Sequence, residues 1–199
     1  MADNKLKNAK AIFILGGPGS GKGTQCEKIV AKFGYNHLSS GDLLRDECAS
    51  GSARGKELAA IMQRGELVSL DVVLTLIKEA MVKCVDKNCY FLIDGYPREL
   101  EQGIRFEKEV CPCLCVIAFE VSQEIMEKRL LKRGETSGRV DDNVETIKKR
   151  FRTFNESTKP VLEYYKKQNK LISIDASGSV DEIFKEVEAK LTEVQKHAK

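Results

Sequence analysis

Gly16-Gly17-Pro18-Gly19-Ser20-Gly21-Lys22-Gly23-Thr24 carries the strongest chemical signal in the chain. It completes Gly-x-x-x-x-Gly-Lys, directly after an apolar run and directly before a segment of helical character. Glycines let a backbone wrap a polyphosphate and aim successive N–H groups at it. The following helix adds the partial positive charge of its N-terminus, and Lys22 brings a mobile cation to the β- and γ-phosphates. One position departs from the pattern. Gly23 stands where Ser or Thr usually follows the lysine, and the hydroxyl moves to Thr24. Mg²⁺ is therefore expected to be held mainly by phosphate oxygens and water.

Three further stretches concentrate chemistry. His37-Leu38-Ser39-Ser40-Gly41-Asp42-Leu43-Leu44-Arg45 follows a short apolar run. In Leu92-Ile93-Asp94-Gly95-Tyr96-Pro97-Arg98 an apolar run ends on an acid and then an arginine. Lys132 to Asp142 reads as a glycine-bounded polar loop with three cations, and Arg129 and Arg133 share the helical face that points into it. Arg150 follows on the next helix. A single arginine is as readily a solvated surface cation as a ligand-binding one. As a set, gathered at strand ends and loop edges, they suit phosphoryl transfer, which needs neutralisation of the moving group more than covalent chemistry.

Other classes are disfavoured. The chain has 199 residues, 42% of them apolar, which suits one domain with an ample core. The formal net charge of +3 is far below that of an electrostatically driven nucleic-acid binder. No apolar run approaches the roughly 18–20 residues of a membrane span, and the opening residues show no signal-peptide pattern, so residence in the cytoplasm is expected. A guanine-reading Asn-Lys-x-Asp is missing, its nearest match being Asn4-Lys5-Leu6-Lys7. The 7 cysteines include no Cys-x-x-Cys pair. Cys111, Cys113 and Cys115 alternate and would share one face of a strand. A thiolate metal site there would need a fourth ligand from His37 or His197, so buried thiols acting as small apolar residues are expected instead.

The elements that must position these residues follow from the apolar pattern. Ala11–Leu15, 90–93, Leu114–Phe119 and 171–174 read as strands covered on both faces, with Tyr35–Ser39 a weaker fifth. Leu70, Val73, Leu74, Ile77 and Met81 form one helical stripe. Val180, Ile183, Phe184, Val187, Leu191 and Val194 form another, opened by the capping box Ser179-x-x-Glu182. Strand–helix alternation gives a doubly wound α/β fold, in which ligands bind beyond the carboxyl ends of the strands.

Taken together, the phosphate loop, Ser-Ser-Gly-Asp-Leu-Leu-Arg, Asp-Gly-Tyr-Pro-Arg and Arg-Gly-Glu-Thr-Ser-Gly-Arg-Val-Asp-Asp resemble the nucleoside monophosphate kinases, in particular the short-form cytosolic adenylate kinases of muscle type. The likeness runs from about Lys5 to about Lys190. It implies a P-loop NTPase α/β fold over a single domain, residues 1–199, with five parallel strands, a helical acceptor-binding segment at about 39–68 and a short lid at about 132–142. It also implies residue roles. Gly19, Ser20, Gly21, Lys22, Gly23 and Thr24 would hold the phosphates of ATP, Arg129 would stack on its adenine, and the Gly178 backbone would touch that base. AMP would lie against Ser40, Arg45, the backbone of Glu66, Leu67 and Val68, then Gly95, Tyr96, Pro97, Arg98 and Gln102. Lys22, Arg133, Arg139 and Arg150 would be catalytic, clamping the phosphates in transit, and Asp94 would orient Mg²⁺ through water. The zinc-binding cysteines of some long-lid relatives are absent, so no structural zinc is expected.

The expected reaction is ATP + AMP to two ADP with Mg²⁺, by in-line displacement in a monomer, serving adenine-nucleotide balance without nucleic-acid or membrane partners. No general base is required, because a phosphate acceptor with a second pKa of about 6 is already largely ionised at neutral pH. His37 is accordingly read as structural. Glycines 134 and 138 would let the lid move and exclude water. The acceptor base is expected to be read by the Ser40 hydroxyl, where UMP/CMP kinases usually have Ala, and by the Gln102 amide, presenting donor and acceptor together. The alternatives are a UMP/CMP kinase on the same scaffold, separated by its choice of acceptor, and a nucleotide sensor without turnover, which the arginine set opposes.

Overall fold

Five apolar runs form five strands: β1 (Lys10–Gly16), β2 (Asn36–Ser39), β3 (Tyr90–Asp94), β4 (Cys113–Glu120) and β5 (Leu171–Asp175). They pair in parallel in the order β2-β3-β1-β4-β5. The structure, a computed structural model, describes residues 5–64, 66–139 and 141–197. Gly65 and Val140, inside the expected acceptor segment and lid, lie outside the described residues.

The strands alternate with α1 (Lys22–Phe33), α2 (Ser40–Ala49), α3 (Ala53–Gln63), α4 (Leu70–Cys84), α5 (Leu100–Glu109), α6 (Gln123–Ser137), α7 (Val144–Thr153), α8 (Lys159–Lys167) and α9 (Val180–His197). A π-turn at Phe154–Thr158 joins α7 to α8. Alternate residues of central β1 feed two cores. Phe13 and Leu15 pack with residues of α2, α4, α5 and α8, while Ile12 and Ile14 pack with α1 and α9. Helices thus cover both faces, as the continuous apolar strands require. Both expected stripes face these cores, on α4 and α9, except Val180 at the start of α9, which is exposed. The expected capping box closes, with Ser179 N–H donating to Glu182 Oε2 at 2.9 Å and Glu182 N–H donating to Ser179 Oγ at 3.3 Å.

Two expectations fail locally. Cys113 and Cys115 do not share a face. The register slips between Ala11↔Cys113 and Ile12↔Cys115, and this bulge sends Cys113 into one core and Cys115 into the other. Burial pushes the thiols of Cys111 and Cys115 up to about 12, so they remain thiols. Nor is Lys132–Asp142 a loop throughout, since α6 continues to Ser137. Gly134 is therefore helical rather than a hinge. A Cβ there would lie 2.7 Å from the Asp142 carbonyl, so the glycine allows close approach of the returning chain. Gly138 ends the helix at φ +64°, a left-handed cap.

Ser179→Ala should cost about 1 kcal/mol of stability by removing the reciprocal cap. Urea unfolding at neutral pH measures it, and an unchanged midpoint would show the box to be idle.

Candidate active site

The parallel register levels the carboxyl ends of the strands, pairing Ser39 with Asp94 across β2 and β3 and Gly16 with Phe119 across β1 and β4. Beyond this edge opens a cleft of about 330 Å³. The phosphate loop forms its floor. Gly19 and Gly21 hold φ +81° and +92°, and a Cβ at Gly17 or Gly19 would meet Met126 of α6 at 2.4 or 2.6 Å. No side chain caps α1 at Gly21, which leaves its amide end to a ligand. Lys22 folds back over the loop, its Nζ donating to the carbonyls of Gly16 and Gly17 at 2.9 and 3.0 Å and to Ser20 Oγ at 3.4 Å. Desolvation lowers its pKa to about 8, against the pull of Asp94 and with Arg98 and Arg150 adding to the depression.

The wall from Ser40 to Gln102 is a chain of locks onto the backbone. The Gly95 carbonyl accepts from Ser40 Oγ and from Arg98 Nε, both at 3.0 Å. Arg98 N–H donates to Gln102 Oε1 at 2.8 Å, and Tyr96 OH donates to the Gln102 carbonyl at 2.8 Å. The Gln102 oxygen thus already accepts one hydrogen bond, from Arg98. Desolvation lowers the Arg98 pKa to about 10, with Arg150 contributing.

Opposite stand the arginines of α6 and α7. Arg133 forks onto Asp142 through Nε at 2.6 Å and Nη2 at 2.8 Å. Arg150 Nη1 reaches Asp142 Oδ1 at 2.9 Å and Asp141 Oδ2 at 3.0 Å. Burial opposes ionisation of Asp142, but Arg133, and then Arg150, hold its carboxyl below the usual range. Asp42 is shared between Arg45 and Arg139, the second at 3.7 Å, and so ties α2 to the segment after α6. Desolvation lowers the Arg139 pKa, as do Arg45 and Arg133. The acids that neutralise these cations, Asp42, Asp141 and Asp142, lie inside the motifs; only the Asp42–Arg45 pair has a helical i,i+3 spacing that announces it, and the others join separate segments.

Gly19, Gly21, Lys22, Gly23 and Thr24 line the cleft beside Ser40, Arg45, Glu66, Leu67 and Val68. Asp94, Gly95, Tyr96, Arg98, Gln102, Arg133, Arg139 and Arg150 line it too. Ser20 and Pro97 are buried behind that lining. Arg129 and Gly178 stand outside it, although Arg129 Nη2 donates to the Ala176 carbonyl at 3.3 Å, two residues short of Gly178. His37 lines the cleft with Nε2 3.6 Å from Asp94. Cys26, His37 and Asp94 place ligand atoms within 4.8 Å of one another, but burial pushes the Cys26 thiol well above its ordinary range, which suits it poorly as a metal ligand.

A sequence model described as adenylate kinase matches residues 14–170. "Adenylate kinase 1" of Schistosoma mansoni is 74% identical over 191 residues, 96% of this chain and 97% of that protein. "Adenylate kinase isoenzyme 1" of Gallus gallus is 57% identical over 187 residues, 94% and 96% of the two chains. Its Caenorhabditis elegans namesake is 58% identical over 192 residues, 96% and 91%.

The chain belongs to the adenylate kinase family. Its reaction is reversible phosphoryl transfer between ATP and AMP, giving two ADP. For an adenylate kinase the geometry has a direct chemical sense. The transition state gains its stabilisation from charges already in place, so cations concentrated in one cleft matter more than covalent chemistry.

Lys22→Met should lower kcat by about a hundredfold or more, while the unliganded protein keeps or raises its Tm, because a desolvated cation is removed. Steady-state turnover with parallel thermal melts checks both, and wild-type turnover would remove Lys22 from the machinery.

Proposed function

We propose that the phosphate loop holds the donor ATP through Gly19 to Thr24, and that the wall from Ser40 to Gln102 holds the acceptor AMP. The observation that carries this reading is the partnering of the cations. Among the described residues, Lys22 and Arg98 meet only carbonyl and hydroxyl oxygens at bonding distance, while Arg45, Arg133, Arg139 and Arg150 meet carboxylates. Lys22 and Arg98 flank the meeting point of the two walls, where two phosphate chains would face each other. The paired arginines would exchange their carboxylates for phosphate oxygens as the site fills, because a guanidinium fork fits either anion.

In this reading residues 39–68 close over the acceptor, and 132–142 act as the lid that excludes water, a competing acceptor of the same phosphoryl group. Arg129 stacks on the donor adenine, beside the Gly178 backbone. Mg²⁺ fits the oxygen-rich floor. The carboxylate of Asp94, 8% exposed, and the Thr24 hydroxyl line the cleft with Lys22, and a hard cation that keeps several waters is suited to such partners. Bound with ATP it would supply neutralising charge to the phosphates, and Asp94 would hold it through water. The enzyme acts as a cytoplasmic monomer. One chain supplies both nucleotide walls, and among the described residues no helix is long and apolar enough to cross a membrane.

Base choice follows from Gln102. With its oxygen fixed on Arg98, the amide NH₂ is left for the base. Adenine and cytosine present an acceptor ring nitrogen on that edge, whereas guanine and uracil present an N–H. The Ser40 hydroxyl gives its proton to the Gly95 carbonyl, and its oxygen would accept from the adenine amino group. ADP formation from ATP with AMP, CMP, UMP or GMP should show AMP strongly preferred and GMP and UMP poorest. Turnover of CMP matching AMP would leave a UMP/CMP kinase in place of this assignment. Ser40→Ala should weaken the AMP preference by about tenfold, within the range for one lost buried hydrogen bond, and leave ATP use unchanged.

Arg139→Ala and Arg150→Ala should lower kcat by about a hundredfold or more, with KM for each nucleotide changing far less, because the moving charge is fully developed only in the transition state. Changes confined to KM would overturn the clamp.

A further inference from the structure

Thr158 lies on the π-turn, 60 residues from Arg98 in sequence, and is 5% exposed. Its Oγ1 donates to the Arg98 carbonyl at 2.9 Å. Gln102 Oε1 accepts from the Arg98 N–H at 2.8 Å, so Arg98 is held by its main chain at both ends. The guanidinium itself has one lock, Nε to the Gly95 carbonyl at 3.0 Å, and no carboxylate at bonding distance among the described residues. A cation without a counter-ion keeps its place only through its backbone and the dipoles around it. A small cavity beside the phosphate loop is lined by Lys22, Arg98, Arg150 and Thr158, so this lock sits within the catalytic cation cluster.

The π-turn explains why Thr158 faces this way. Pro160 has no N–H for the carbonyl four residues before it, and Lys159 N–H donates instead to Phe154, five residues back. The wider turn adds one residue, which rotates α8 by about 100° relative to a continuous α-helix. Before it, Ile147 and Phe151 of α7 pack with Met126 and Leu130 of α6. After it, Val161 and Tyr165 of α8 pack in the sheet core. Thr158 stands where the helical run changes packing partner, and its hydroxyl turns onto Arg98.

We propose that Thr158 is a positioning residue for phosphoryl transfer, holding the Arg98 backbone so that its guanidinium meets the acceptor phosphate. This rests on the reading, proposed above, that Arg98 binds the acceptor. Thr158 touches no substrate and acts through Arg98 alone, coupling the helix after the lid to the acceptor wall.

Thr158→Val keeps shape and burial but removes the hydroxyl, and Thr158→Ser keeps the hydroxyl. The Val variant should raise KM for AMP about tenfold and lower kcat, with KM for ATP within twofold of wild type. The Ser variant should restore AMP kinetics to within about twofold of wild type. In an Arg98→Ala background, Thr158→Val should add nothing further to KM for AMP. A Val variant that loses only Tm, or Ser and Val variants that behave alike, overturns the proposal. If Arg98→Ala alone leaves KM for AMP unchanged, the acceptor-site reading fails instead, so the two failures are distinguishable. Should Thr158→Val not fold, Thr158→Ala against Thr158→Ser gives the same comparison.

Discussion

Holding several cations in one cleft, partly out of water, is the constraint on which the rest of this structure depends. Each cation costs desolvation energy, and each repels its neighbours. The chain offsets this in two ways. Arg133 and Arg150 are neutralised by Asp141 and Asp142, and Arg45 and Arg139 share Asp42. Lys22 and Arg98 receive only carbonyl and hydroxyl dipoles, from the phosphate loop in one case and Gly95 in the other. Their depressed pKa values record incomplete compensation. A site left short of negative charge favours phosphate, and it stabilises most strongly the state in which phosphate charge is in motion.

The fold serves this arrangement by bringing chain ends to one edge. β1 delivers the phosphate loop, β2 the start of α2, and β3 the turn carrying Asp94 to Arg98. α6 binds the two halves of the problem together. Its Met126 and Leu130 pack with α7, Met126 also touches the glycines of the phosphate loop, and its far end carries Arg133. Close approach of backbone to backbone, at Gly19 against Met126 and at Gly134 against Asp142, makes this packing possible.

Local signals were legible in the sequence because their physics is local. The phosphate loop, the capping box at Ser179 and the stripes of α4 and α9 depend on residues a few positions apart. What the sequence concealed depends on registry and distance. One bulge at the start of β4 separated Cys113 from Cys115, which simple alternation places together. Gly134 looked like a hinge, and only the returning chain at Asp142 shows it to be a contact. That the Gln102 oxygen accepts from the Arg98 N–H depends on the turn before it, which spacing alone does not show. Asp42 on Arg139, Asp142 on Arg133 and Arg150, and Thr158 on Arg98 join segments that no spacing rule connects.

In the proposed site Lys22 is central, a cation whose depressed pKa leaves its proton loosely held. Its pKa is about 8 in the unliganded site, against an ordinary 10.5, and a bound polyphosphate should raise it again. Between those values the empty protein has lost a proton that the complex retains. Calorimetric titration of ATP with Mg²⁺ near pH 8.5, repeated in buffers of different ionisation enthalpy, measures that proton directly. Uptake of most of one proton on binding is expected in wild type, and none in Lys22→Met. Binding of equal affinity with no proton uptake in wild type would contradict a lysine held short of negative charge.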